Sequence, residues 1–501
     1  MSGATHERSA VAPRRTPTVV RLLVLSTFVV ILNETIMINA IPRLMDAMAI
    51  TEQSAQWVST AFMLTMAAVI PITGWFLQRV TTRKAYAIAM GVFLSGTVLS
   101  AVAPIFEVLL LGRIVQAAGT AVMMPLLMTT LMNVVPDHDR GRVMGNVTLA
   151  ISVAPALGPT VSGLILQFGS WRLLFVVVMP IAALVTVFGL RKLENVTEPQ
   201  VSSIDWFSVG LAAFGFGGLV YGLSQFGEAD GTVGFGIGIV IAGLATITVF
   251  VLRQLSLQRT NTPLLDLRTL THRSYALGLG IMAVAFLVML GAMILLPLYL
   301  QNLRGLSALQ TGLLVMPGGL AMGLLGPTVG KLFDRFGSRP LVVPGSIAIV
   351  LAVGGLTQVS MTTPYWQVLG LHVLLMLSLA AMFTPIFTLS MGALPQHLYS
   401  HGSSMLGTLQ QVAAAFGTAL VVTVMSARSG QLVTDGVAAV PAQLSGMRLA
   451  FVVMAAIALV TIVIAVLLPR KAPAADVDEH DGTDQPAGGR PDADGLVAAE
   501  A

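Results

Sequence analysis

The chain has 501 residues, 55% of them hydrophobic and 10% charged. A soluble chain carries about a quarter charged residues, so this composition excludes a cytosolic enzyme, a nucleic-acid binder and a disordered scaffold. The formal net charge of +4 hides a split, about −5 from Arg470 onward and +9 before it, and the lack of cysteine excludes disulfides and thiolate metal sites.

Fourteen apolar runs, each about the length a helix needs to cross a bilayer, follow one another along the chain. Their limits are 21–41, 55–77, 85–104, 107–133, 143–166, 172–190, 206–225, 233–252, 274–297, 310–330, 341–359, 367–392, 404–426 and 447–469. The polar N-terminus, up to residue 21, carries Arg8, Arg14, Arg15 and Arg21. The run after it is too long for a signal-peptide core and lacks a small-residue cleavage site, so it reads as a retained first helix.

Within that first span lies Glu34, the one acidic residue of 23 that sits well inside an apolar run. At ~1.5 Å per residue it stands roughly 18 Å along the helix from Leu22. A charge near the bilayer centre costs about 2.5–3.5 kcal/mol on insertion scales. Glu34 therefore reads as a proton-coupling or cation-binding group, or else as a protonated acid bonded to a neighbouring helix. Asn33 and Asn39 are candidate cavity contacts, with helix–helix hydrogen bonding as the other reading.

After the second span comes Gly74-Trp-Phe-Leu-Gln-Arg-Val-Thr-Thr-Arg-Lys84. In the fourth, Arg113 is the only basic residue inside a span; its fixed charge either tunes a proton site or binds backbone carbonyls. Met124, Met128 and Met132 recur every four residues, which suits an adaptable binding surface and equally a core or lipid face. The fifth span holds Asn146 and the run Pro155-Ala-Leu-Gly158-Pro159-Thr-Val-Ser-Gly163. Proline removes a helix hydrogen bond and small residues allow close approach, so this helix either seals one side of a cavity or only bends for packing.

The first cytoplasmic loop recurs after the tenth span as Gly330-Lys-Leu-Phe-Asp334-Arg335-Phe-Gly337-Ser-Arg339-Pro340. Asp334 and the basic residues Arg83, Arg335 and Arg339 read as interdomain gating contacts, or simply as charge at a membrane face. Two halves with equivalent loops are how rocking transporters are built, which leaves the seventh and eighth spans as a pair between two sets of six. His372 in the twelfth span is a weak proton-relay candidate, and Gln410 and Gln411 in the thirteenth are candidate cavity contacts. With the N-terminus inside, 21 of the 27 basic residues fall on the cytoplasmic side and 5 outside, Arg113 being the remainder. That asymmetry is the one cytoplasmic loops favour. It places both termini in the cytoplasm and the chain in the inner (cytoplasmic) membrane.

Together these segments carry a specific resemblance. Gly330–Arg339 looks like the signature loop of the major facilitator superfamily. Leu111-Gly-Arg113-Ile-Val-Gln116-Ala-Ala-Gly119 is similar to its Arg-x-x-Gln-Gly helix motif, with Ala117 for a glycine. Pro155–Gly163 resembles the motif of its proton-coupled exporters. Asn33-Glu-Thr-Ile-Met-Ile-Asn-Ala-Ile-Pro42 and Gln56-Trp57-Val-Ser-Thr60 resemble the fourteen-helix drug:proton antiporter branch (the EmrB/QacA type), with lincomycin-resistance-like members nearest. The departures are Gln78 and Thr81, where the first loop has an acid and a glycine, and Asn33, where the family has an acid in the first span.

The resemblance implies an all-α membrane protein of two six-helix bundles plus two central helices. Its expected parts are an N-tail (1–20), an N-terminal bundle (21–190), a linker with two spans (191–273), a C-terminal bundle (274–469) and an acidic disordered tail (470–501). It implies proton-driven efflux of amphipathic drugs, with Glu34 and Arg113 coupling the proton. Export of an endogenous lipid or metabolite, or a membrane receptor on the same scaffold, are the alternatives. No enzyme activity, cofactor, metal or nucleic-acid partner is expected. The expected partners are drugs, protons and the bilayer, and nothing in the sequence supports a periplasmic adaptor.

Overall fold

The structure, a computed structural model, describes residues 17–37, 40–196, 199, 204–225, 233–260 and 263–469. Regular structure among them is helical throughout. The α-helices are α1 (Thr18–Ile36), α2 (Ile41–Met48), α3 (Glu52–Arg79), α4 (Thr82–Ala101), α5 (Phe106–Val134), α6 (Arg140–Gln167), α7 (Arg172–Lys192), α8 (Trp206–Ser224), α9 (Val233–Gln258), α10 (Arg273–Leu298), α11 (Ala308–Phe336), α12 (Arg339–Leu356), α13 (Tyr365–Gly392), α14 (Tyr399–Thr434) and α15 (Ala439–Leu467). All but the eight-residue α2 are long and apolar enough to cross a membrane, which gives the expected fourteen spans. In hydrocarbon, backbone amides and carbonyls find no water, so long uninterrupted helices are the form these apolar runs must take.

Short polar residues set the helix ends. Thr51 Oγ1 accepts from the Ser54 amide at 3.2 Å to start α3, and Ser307 forms a reciprocal capping box with Gln310 to start α11. Gly337 ends α11 at φ +83°, in the left-handed region that glycine occupies without strain. Several helices outrun the expected spans, α14 by eight residues at its end and α15 by eight at its start, and the first span is divided. The first span was expected to run to residue 41, but α1 stops at Ile36 and a separate helix α2 begins at Ile41. Pro42 sits in the first turn of α2, where it has no backbone N–H to donate to a carbonyl four residues earlier, so it suits a helix start and not the interior of one long helix. Glu34 therefore occupies the last turn of α1 and not the middle of a span.

The helices pack in two groups. Helices α1 and α3–α7 form one, and α10–α15 the other. The even number of crossings brings both chain ends to the same side, the terminal end. There Ser338 Oγ donates to the Pro469 carbonyl at 2.6 Å and Arg339 Nε to the Leu468 carbonyl. Helices α8 and α9 form a hairpin beside the groups. It is tied at its terminal end by the Asp205–Arg253 ion pair at 2.9 Å and by Gln254 Nε2 donating to Ser208 Oγ at 2.8 Å. Gln254 Oε1 also accepts from the Leu264 and Leu265 amides, which fastens the returning chain.

The two groups meet across α6–α11, α3–α14, α5–α14 and α6–α13. Every hydrogen bond between them among the described residues lies in the terminal half of the molecule. These include Thr73–Ser404 at 2.7 Å, Thr129–Ser403 at 3.0 Å, Thr148–Thr384 at 2.9 Å and Gln78 Nε2 to the His397 carbonyl at 2.9 Å. The molecule is thus closed at the terminal end.

Candidate functional site

A polar knot is buried in the first group. Arg113 on α5 is 1% exposed, and its Nη1 donates to Gln116 Oε1 at 2.9 Å, one turn on, and to Asn33 Oδ1 on α1 at 3.3 Å. Gln116 Nε2 passes the chain to Thr97 Oγ1 on α4 at 2.8 Å. The guanidinium carbon stands 4.3 Å from the centre of the Phe62 ring on α3, a cation–π contact. Four helices are therefore pinned to one cation. Arg113 Nε and Asn33 Nδ2 remain buried without a partner.

Asn33, expected to touch cargo, is fully buried against Arg113 and does not line an open surface. One residue along a helix turns a side chain by about 100°, and this divides the roles of the pair. Asn33 points into the knot, whereas Glu34 is only half-buried and forms no hydrogen bond or ion pair with a described residue. Arg113 is near enough for the two charges to interact at a distance. Gly158 of α6 brings that helix against Thr35, the next residue of α1, where any Cβ would overlap the threonine side chain.

At the terminal end the two signature loops act unequally. Asp334 accepts from the Gly141 and Arg142 amides at the start of α6, both at 2.8 Å. A carboxylate at a helix N-terminus meets unpaired N–H groups and the positive end of the dipole. The partner of Asp334 is therefore a helix end in the other group, not the neighbouring Arg335, which lies over the Phe336 ring. Gln78, at the matching place in the first loop, donates to a carbonyl instead. Gly74 packs against the backbone and imidazole of His401, and Gly330 against the Gly141 carbonyl. The Arg83 side chain is exposed, with its amide bonded to Asn195 Oδ1.

Sequence reasoning missed the closest seam. Gly141 and Gly145 of α6 face Gly326 and Gly330 of α11 so tightly that a Cβ on any of them would strike the opposing helix. The signal was present as two Gly-x-x-x-Gly spacings, the pattern that lets membrane helices approach closely. Of the other candidates, Met124, Asn146, Gln410 and Gln411 are half-buried, while Met128 is packed in the core. Pro155 is half-buried within an unbroken α6, and Gly163 meets open space. His372 is buried against Gly318, its Nδ1 unpartnered. Asn39 and the side chain of Pro159 lie outside the described residues. No group of three or more metal-ligating side chains occurs among the described residues.

Two linked helix groups closed at one end, with a charged knot in the membrane-spanning region, define a multi-pass membrane transporter. The sequence model of the Major Facilitator Superfamily matches residues 23–418. An uncharacterised MFS-type transporter of Bacillus subtilis, YcnB, is 38% identical over 88% of this chain and 93% of its own length. The lincomycin resistance protein LmrB of Listeria monocytogenes is 36% identical over 82% of this chain and 86% of its own. A structure of the proton:xylose symporter XylE superposes with a TM-score of 0.60 at 15% identity, covering 89% of this chain and 95% of that one. The chain belongs to the Major Facilitator Superfamily, a family of transporters and not, in general, of enzymes.

Proposed function

We propose that the chain exports amphipathic drugs, cationic or neutral, across the cytoplasmic membrane in exchange for protons, with both termini in the cytoplasm. The orientation rests on the 21 basic residues of the terminal side against 5 on the other. In that orientation the contacts between the two groups close the cytoplasmic end. Similarity to a lincomycin resistance protein supports drugs as cargo.

The observation that carries the reading is the half-buried, unbonded Glu34 carboxylate beside the buried Arg113. A proton arriving from outside neutralises Glu34 and competes with a cationic drug for it. Arg113, locked by Asn33, Gln116 and Phe62, keeps its charge in place through the cycle. Asp334 on the α6 amino terminus and the glycine seam then hold the cytoplasmic end shut until cargo has left. One proton moving with 100 mV supplies about 2.3 kcal/mol, enough to sustain roughly a fortyfold drug gradient.

The test is a resistance profile in a host stripped of its own pumps, with and without a protonophore. Resistance to lincomycin or ethidium that the protonophore abolishes is expected. Resistance that survives the protonophore, or none to any amphipathic compound, refutes the reading.

A further inference from the structure

The two lateral seams between the helix groups are built differently. On one side α6 and α11 touch along a single stripe spaced as one helix face. On α6 it comprises Gly141, Gly145, Leu149 and Val153, which meet Gly330, Gly326 and Gly323 of α11. Continuing that stripe away from the terminal end leads on α6 to Thr160 and Leu164, and on α11 to Gly312 and Leu309. There, among the described residues, the glycines no longer meet the opposing helix. Thr160 is exposed, Leu164 is 56% exposed, Leu309 71% and Leu313 54%, and Gly163 and Gly312 have nothing within 4 Å of a built Cβ. Over the same stretch α6 leans on α1 instead, at Gly158 and Thr35.

The opposite seam, between α3 and α14, starts the same way at the terminal end, with Thr73 bonded to Ser404 and Gly407 against Ile70. Farther out it is filled by α8. Tyr221 of α8 lies against Trp57 of α3, ring centres 5.6 Å apart. Leu219 and Leu223 of α8 pack with Ala419, Ala415 and Val412 of α14. Helix α9 backs α8 and turns an apolar face outward, with Ile237, Ile241, Leu244 and Leu252 exposed.

We propose that the α8–α9 hairpin permanently seals one lateral seam, so that membrane-dissolved cargo passes between the interface of the two helix groups and the bilayer only through the far half of the α6–α11 seam. The inference rests on the export reading above and adds a route to it. It assigns the hairpin a purpose that twelve spans alone do not serve. It also gives the open glycines Gly163 and Gly312 one, since a side chain there would narrow the passage.

Two measurements on the full chain in liposomes test it. In vesicles containing a diazirine-bearing phosphatidylcholine, adducts are expected on residues 160–164 and 309–313 and absent from Trp57, Ala415 and Ala419. Adducts on the latter three at comparable yield overturn the seal. This first measurement needs no variant and no transport. In the second, efflux of tetraphenylphosphonium by Gly312→Trp is expected to fall about tenfold, a loss of about 1.4 kcal/mol. Gly238→Trp, at an equally open glycine on α9, is expected to match the unmodified chain. Equal efflux by the two variants overturns the route while leaving export intact. Failure of the unmodified chain to move the probe counts against the export reading, with the lipid map still deciding the seal.

Discussion

At the residue scale, adjacent residues of α1 are placed differently, Asn33 buried against Arg113 and Glu34 half-buried without a bond to a described residue. The sequence made both residues and Arg113 conspicuous, because polar side chains in apolar runs are costly. It did not reveal which of the pair faced the cation, since that depends on where α1 ends and how it is rotated against α5. The knot makes a sharp prediction for Arg113→Lys. A lysine keeps the charge but loses the planar fork and the face-on contact with Phe62, leaving Gln116 Oε1 or Asn33 Oδ1 unsatisfied in a buried site. Lost hydrogen bonds to a charged group cost about 1.5–3 kcal/mol. The purified variant is expected to unfold at lower temperature and to transport poorly; an unchanged melting temperature would show that the fork is not needed.

At the element scale, the terminal gate is asymmetric, and its two sides respond oppositely to charge. Asp334→Asn removes an anion from the α6 amino terminus, an interaction worth about 0.3–1 kcal/mol when exposed and ~2 when partly buried. Gln78→Glu places an anion against the His397 carbonyl, where the amide now donates. Both variants are expected to raise labelling of a cysteine placed at Thr73, a buried gate position, by an impermeant thiol reagent. Gly330→Ala is expected to do so more strongly, since its new methyl overlaps the Gly141 carbonyl. Labelling no higher than in the parent chain would mean that these contacts do not hold the gate. The loop repeat and the helix limits were legible because they are local, written in apolar run length and capping residues. The partner of Asp334 was not, because it lies nearly two hundred residues earlier and is a backbone end with no side-chain signature.

At the scale of the whole molecule, the fourteen spans and their pairing into two groups follow from the sequence with little loss. The seat of the central hairpin does not, because α8 and α9 are apolar on nearly every side and carry no mark of what they cover. Their fastening does predict a pH effect. The hydrogen bond and charge of Arg253 hold the Asp205 carboxyl below the usual carboxylate range. That stabilisation is fully present above about pH 4, near the unfolded value, and is lost as pH falls through the lower folded value. Solvent screening keeps the contribution of a pair this exposed small. Hydrogen exchange at the start of α8 and the end of α9, corrected for intrinsic rates, is expected to rise on acidification. In Asp205→Asn it is expected to be fast already at neutral pH, and identical behaviour of the two proteins would remove the pair from the hairpin's stability.

The account turns on a hydrogen ion travelling against the drug through Glu34. Purified protein in sealed vesicles, loaded with ethidium and a pH-sensitive dye, reports both movements at once under an imposed pH gradient. The unmodified chain should move ethidium up its own gradient while protons flow the other way, and Glu34→Gln should lose the dependence on the pH gradient. Ethidium transport by Glu34→Gln that keeps full sensitivity to the gradient would contradict it.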